Sequence, residues 1–243
     1  MSAYGDIHRA HSIARLPPTA WTRTGPAAAA ATYSTPTITV HHLTLETARA
    51  MPGLLAYLSA VFAQEVADGR TYPQEGAIPQ PTFEAYFFAA DVFVGVAGQA
   101  PTSAPEIPAD IEAARGSHAW EACIAGYYYI KPNYPGRSSH ICNAGFVVPP
   151  NQRGRGYGSL LAESYVHYAP RLGYQASVFN LVYVNNGASV RLWEKLGFTK
   201  AGRIPRAGRL RTGDGQGEEY VDAWVIYRSF VDAEDTVGPS GSS

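Results

Sequence analysis

The chain has 243 residues, of which 46% are hydrophobic and 16% charged, with a formal net charge of −1 at pH 7. This is enough apolar material for one substantial core, and it excludes a wholly disordered protein. The near-neutral charge gives no basis for general nucleic-acid binding, and no run approaches the ~18 apolar residues of a membrane span.

Residues 1–36 contain Pro17-Pro18, a run of alanines from 27 to 31 and a single acid, Asp6. Low acidity with spaced arginines resembles a mitochondrial presequence, but the composition fits a disordered leader better. The first strand is expected at Thr37–Leu43, which is rich in β-branched residues. Within 46–67, Leu54, Leu55, Leu58, Val61, Phe62 and Val66 recur near helical spacing. Pro52 suits a first turn and Gly69 a C-terminal stop. A short helix at 83–90, a strand at 91–96 and a Pro/Ala-rich loop at 98–116 follow. Strands are expected at 124–130 and 141–148, joined by a turn-rich connection. Then come a helix at 159–171, a buried strand at 177–184 and a helix at 186–196. Strands at 198–204 and 220–230 close the sheet, with a Gly/Arg-rich loop between them. Residues 232–243 read as a disordered tail. The order predicts one α/β domain over 37–231, a mixed central sheet around a parallel βαβ unit with flanking helices. Cys123 and Cys142 lie in apolar strand-like runs, are too few for a disulfide framework and lack metal spacing. Buried reduced thiols in an intracellular, cytoplasmic setting are expected, with no metal site.

Residues 153–158 read Arg-Gly-Arg-Gly-Tyr-Gly, between an expected strand and an expected helix. Glycines let main-chain N–H groups approach a ligand with no Cβ in the way. The helix that follows leaves its first N–H groups unpaired and carries partial positive charge. Together these suit an anion of pyrophosphate size, and Arg153 and Arg155 add charge at its rim. No Gly-Lys pair exists for a Walker loop. Gly154, Gly156 and Gly158 also miss the dinucleotide spacing Gly-x-Gly-x-x-Gly.

The loop fits Arg/Gln-x-x-Gly-x-Gly/Ala, and so resembles the coenzyme A loop of the GNAT superfamily of N-acetyltransferases. Residues 186–198, Asn-Gly-Ala-Ser-Val-Arg-Leu-Trp-Glu-Lys-Leu-Gly-Phe, resemble that superfamily's late signature, Asn-x-x-Ala/Ser-x-x-x-Tyr-Glu-x-x-Gly-Phe. Asn186 suits a helix cap and Gly197 a helix stop. Four further segments, 69–74, 129–134, 140–146 and 179–189, resemble the fungal proline-analogue N-acetyltransferases; the likeness runs from about residue 50 to 210. The resemblance implies a splayed pair of parallel strands and acetyl-CoA as co-substrate. It implies direct acetyl transfer to the ring nitrogen of azetidine-2-carboxylate or a related imino acid, and a homodimer. It also implies coenzyme contacts from Phe146, Val147 and Val148, from Arg153, Gly154, Arg155, Gly156, Tyr157, Gly158 and Ser159, and from Asn186 and Trp193. Many superfamily members carry Tyr where Trp193 stands. An indole N–H donates but does not titrate usefully, so a phenol-acid route through this position is closed.

Asn143 and Asn180 fall on the two strands expected to flank the thioester. An Asn inside an apolar strand is costly unless its amide is paired. A carboxamide offers donors and acceptors but cannot be a general base. Both residues are therefore read as positioning and polarising groups in catalysis. His140 is read as a turn histidine and Glu65 as a solvated helix-end carboxylate. Arg203, Arg206, Arg209 and Arg211 are read as a basic run that could meet a coenzyme phosphate. Tyr127, Tyr128 and Tyr129 are expected to alternate faces. The competing readings are acetylation of another small amine or a peptide N-terminus, and a non-catalytic acetyl-CoA-binding module.

Overall fold

The computed structural model describes residues 14–23, 36–98 and 107–231; the expected tail at 232–243 and most of the expected leader lie outside them. Eight strands form one sheet in the order β1-β2-β3-β4-β5-β6-β8-β7. They are β1 (Thr19–Thr22), β2 (Thr37–Leu43), β3 (Asp91–Gly98), β4 (Ile124–Pro132), β5 (Ile141–Val147), β6 (Ala176–Tyr183), β7 (Thr199–Arg211) and β8 (Glu218–Ser229). The helices are α1 (Leu45–Arg49), α2 (Leu54–Asp68), α3 (Gln80–Phe87), α4 (Ile111–Arg115), α5 (Trp120–Cys123), α6 (Tyr157–Arg171) and α7 (Gly187–Lys195). The expected mixed α/β architecture is present, and β5–β6 is its parallel pair.

The alternation of β4 sorts the two faces. Tyr127 and Tyr129 join α2 and α3 in one buried cluster, while Tyr128 joins α6 and α7 in the other. Each of the three needs a partner for its hydroxyl, since an unmet buried polar group costs about 1–3 kcal/mol. Tyr127 donates to the Leu58 carbonyl at 2.6 Å, Tyr128 meets Ser164 at 2.8 Å and Tyr129 meets Tyr86 at 2.9 Å. Both cysteines are buried free thiols. Among the described residues, no helix is long and apolar enough to cross a membrane.

Three expectations change. Residues 14–23 belong to the domain, not to an unstructured leader. β1 pairs antiparallel with β2, the Leu16 N–H donates to His42 Nδ1 at 3.0 Å, and Tyr168 donates to the Pro17 carbonyl at 2.9 Å. The 98–116 loop holds α4, capped by the Asp110 carboxylate on the Ala113 N–H. The Gly/Arg-rich loop is largely strand, because β7 runs on to Arg211. β7 is an edge strand, where Pro205 and its glycines are tolerated beside register shifts at Lys200/Gly202 and Ile204/Gly208. The arginines there are locally engaged: Arg203 pairs with Asp222, and Arg209 with Glu75 and Glu218.

Candidate active site

β5 and β6 pair only at Ile141–Ala176 and Cys142–Ser177. Beyond that point the facing edges of β5 (Asn143 to Val147) and β6 (Val178 to Asn180) make no ladder with each other, and a cleft opens between them. Trp193 fills its floor. The indole is 6% exposed, and its ring centroid lies 5.2 Å from that of Phe146 on β5 and 4.6 Å from that of Phe179 on β6. The large ring wedges the strands apart from the α6–α7 side; it is a core residue under the cleft.

The glycine loop stands at one end of this cleft. Gly154 and Gly156 have φ of +77° and +86°, a region where an L side chain is strained. Gly156 is the N-cap of α6, with no side chain capping the helix, which leaves the N–H groups of Tyr157 and Gly158 without a capping side chain. Tyr157 is buried at the helix start and Gly158 packs near Val148. Ser159 N–H turns back to the Gly156 carbonyl at 3.1 Å. The two loop arginines differ. Arg153 is tied down: its guanidinium pairs with Glu65 and its Nε donates to the Val148 carbonyl at 3.1 Å. Glu65, which also accepts from Thr71, is thus a loop anchor and not the solvated carboxylate expected from sequence. Arg155 is exposed, with no ion-pair partner among the described residues. A cation that sequence reasoning missed comes from the N-terminal segment. A Cβ built on Gly156 would meet Arg23 Nη1 at 3.1 Å, so this guanidinium lies on the loop. Asn186 caps α7, its side chain accepting from the Ser189 N–H at 3.1 Å.

The other side of the cleft is a side-chain construction. Asn143 on β5 and Asn180 on β6 both donate to Asn133 Oδ1, at 2.6 and 2.7 Å, and Asn133 Nδ2 returns a bond to Asn180 Oδ1 at 3.2 Å. Asn133 is 5% exposed and was missed because its Pro-Asn context reads as a turn. Within this triad Asn143 Oδ1 is buried with no hydrogen-bond partner among the described residues. Tyr72 donates to the Phe146 carbonyl at 3.1 Å, which brings the 69–74 segment onto β5. The approach is possible because residue 145 is glycine: a Cβ there would stand 2.8 Å from the Tyr72 hydroxyl oxygen and 2.6 Å from Tyr129 Cε1. Burial pushes the Tyr72 and Tyr129 phenols well up and raises that of Tyr86, so all three stay protonated near neutrality. His140 is an exposed turn residue whose Nδ1 lies 3.2 Å from the Arg137 carbonyl. Among the described residues no group of three or more His, Cys, Asp or Glu is placed to hold a metal ion.

Residues 95–198 match the Acetyltransferase (GNAT) family. The N-acetyltransferase aca1 of Schizosaccharomyces pombe is 42% identical over 185 residues, covering 76% of this chain and 84% of that protein. The chain belongs to the GNAT acetyltransferase family. It is an acyltransferase of the acetyl-CoA-dependent kind. Solved structures agree in fold. A GCN5-related N-acetyltransferase from Kribbella flavida superposes with a TM-score of 0.59 at 24% identity, covering 78% of this chain and 97% of that one. The yncA protein of Salmonella typhimurium, solved with its cofactor acetyl-CoA, gives 0.59 at 16% identity, covering 84% and 99%. The open strand edges, uncapped helix terminus and unpaired Arg155 are features that an extended, phosphate-bearing thioester would complement.

Proposed function

We propose that this acetyltransferase acetylates the ring nitrogen of a small cyclic imino acid, such as azetidine-2-carboxylate, hydroxyproline or another proline-like compound, by direct transfer from acetyl-CoA. The observation that carries the reading is the asparagine triad at the mouth of the β5–β6 cleft, with Asn143 Oδ1 buried and unpaired. A donor from the acceptor, its ring N–H, would meet that oxygen. The tyrosine wall of Tyr72, Tyr86 and Tyr129 suits an acceptor no larger than a small ring.

The chemistry asked of the chain is positioning and charge stabilisation. The ring ammonium first gives a proton to solvent. The nitrogen lone pair then forms the C–N bond with the thioester carbon, and charge builds on the carbonyl oxygen. Main-chain N–H groups at and just past the end of β5, within Phe146 to Val148, that point away from β4 would be the donors available to it. Collapse breaks the C–S bond; the nitrogen gives up its remaining proton to solvent, and CoA leaves as a thiolate that takes a proton up. Asn143 and Asn180 hold the nitrogen on line, since an amide does not titrate in this range. Loop glycines 154, 156 and 158 with Arg155, Ser159 and the start of α6 would hold the coenzyme phosphates, with Arg153 fixing the loop. Asn186 and Trp193 would flank the pantetheine arm. Direct transfer accords with the cysteines: burial pushes the Cys142 thiol up to about 12 and raises that of Cys123. Neither is an accessible thiolate nucleophile. The sequence resemblance also argues for a homodimer, which light scattering would decide.

The test is CoA release by the purified protein with acetyl-CoA and L-azetidine-2-carboxylate, L-proline, cis-4-hydroxy-L-proline, spermidine or a short peptide. Turnover confined to the cyclic acids is expected. Turnover with spermidine or peptide alone would discard the acceptor and keep the donor. Tight acetyl-CoA binding with no turnover on any amine would replace the enzyme by a binding module.

A further inference from the structure

Lys131 stands in β4 directly across the ladder from Asn143, as Tyr129 stands across from Gly145. Opposed residues of antiparallel strands share a face, with Cβ atoms about 5 Å apart. The Lys131 ammonium therefore belongs to the acceptor side of the cleft. Its Nζ lies 4.0 Å from the centroid of the Tyr86 ring and 4.2 Å from that of Tyr129. The two rings are held by the bond between their hydroxyls at 2.9 Å, so the cradle is fixed.

What the ammonium lacks among the described residues is an anion. Among the described residues its ammonium makes one hydrogen bond, a long one of 3.4 Å to the Tyr86 carbonyl, and no ion pair includes it. Aromatic faces attract a cation by about 0.5–2 kcal/mol, but they leave N–H groups without lone pairs. A desolvated charge without a counterion is costly. Burial lowers the Lys131 pKa to about 8, still high enough to keep the group charged in most molecules at pH 7. Across the ladder, Asn143 Oδ1 is the complementary gap, an acceptor with no donor.

An α-imino acid carries both complements, a carboxylate and an N–H, separated by one carbon. We infer that Lys131, held between Tyr86 and Tyr129, anchors the α-carboxylate of the acceptor while Asn143 Oδ1 receives its nitrogen. The inference rests on the site assignment made under Proposed function, and it narrows the acceptor to amines with a carboxylate on the adjacent carbon. A polyamine or a peptide N-terminus lacks that group, and a polyamine would also be repelled.

The experiment compares kcat/KM for L-azetidine-2-carboxylate and for its carboxamide, using the full chain and its Lys131→Met and Lys131→Arg variants. The wild type is expected to prefer the acid by more than about tenfold, the weight of one charge-assisted hydrogen bond. Lys131→Met should lose that preference through KM for the acid, with a much smaller loss on the carboxamide and with acetyl-CoA affinity intact. Lys131→Arg should keep part of the preference. Equal losses on both acceptors, or a preference that survives Lys131→Met, would overturn the anchor. Should Lys131→Met fail to fold, Lys131→Gln takes its place in the same comparison. If the wild type acetylates open-chain α-amino acids instead, the imino-acid reading fails; the Lys131 comparison, run on such an acid and its amide, still decides the anchor. A wild-type protein that acetylates only carboxylate-free amines, or that in calorimetry with CoA present binds none of these acids, overturns both.

Discussion

The proposed coenzyme side of the cleft is largely contiguous in sequence and made of backbone: loop glycines in left-handed conformation, an uncapped helix terminus and unladdered strand edges. The proposed acceptor side is scattered and made of side chains. Tyr72 follows α2, Tyr86 lies on α3, Tyr129 and Lys131 on β4, Asn133 just after it, Asn143 on β5 and Asn180 on β6. Main-chain donors recognise a diphosphate whatever else the chain encodes, so one short motif specifies that half. Recognition of one small amine among many needs polar atoms fixed from several directions. The acceptor half is accordingly braced by hydrogen bonds between residues 10, 43, 47 and 74 positions apart.

If the halves are separate, damage to one should leave the other's binding constant unmoved. The largest effect is expected at the triad. Asn143→Ala or Asn180→Ala should lower turnover by more than about tenfold, the weight of a positioned hydrogen bond, with acetyl-CoA affinity unchanged in calorimetry. Near-normal turnover in both variants would reduce the triad to a structural clasp. Next is Gly145→Ala. The added Cβ would press on Tyr129 and on the Tyr72 hydroxyl, an overpacking of about 1–3 kcal/mol. Acceptor KM should rise by roughly tenfold as the wall shifts. A rise in acetyl-CoA Kd of the same size would show that the two halves share one rigid unit. Gly156→Ala is the converse. Left-handed strain of about 1–2 kcal/mol should weaken coenzyme binding by roughly tenfold and spare acceptor KM.

The same division explains what could be read before folding. The strands and helices of the βαβ core, the Asn186 cap, the facing of Tyr127, Tyr128 and Tyr129, and the placement of Asn143 and Asn180 on adjacent strands follow from short-range pattern, and the structure has them. β1 was not legible. Four residues, Thr-Ala-Trp-Thr, between a Pro pair and a run of alanines carry no periodicity, and the segment is fixed by His42 and Tyr168, distant in sequence. The length of β7 was hidden by Pro205 and two glycines, Gly202 and Gly208, which break a central strand but pass on an edge. Asn133 and Lys131 look like turn and strand-end residues until the register places them opposite Asn143 and beside Asn180. That no counterion among the described residues meets this lysine is a fact of three dimensions alone.

The residue just past β1 supplies the finest probe of the comparison, because Arg23, like Glu65, reaches the glycine loop from outside the motif. Arg23 is exposed, and its Nη1 lies where a Cβ on Gly156 would nearly touch it. An exposed cation beside a diphosphate is worth at most about 1 kcal/mol. Arg23→Ala should therefore raise the acetyl-CoA Kd by only about threefold at low salt. The difference should shrink as ionic strength rises and the Debye length falls below about 8 Å. Acceptor KM should not move. The Gly156→Ala, Arg23→Ala double variant should lose less than the sum of the two single losses, because the new methyl group already displaces the guanidinium. Strict additivity, or an Arg23→Ala protein with wild-type coenzyme affinity at every salt concentration, would return coenzyme recognition wholly to the loop and the helix behind it. In that case β1 would be a brace for the sheet edge and nothing more.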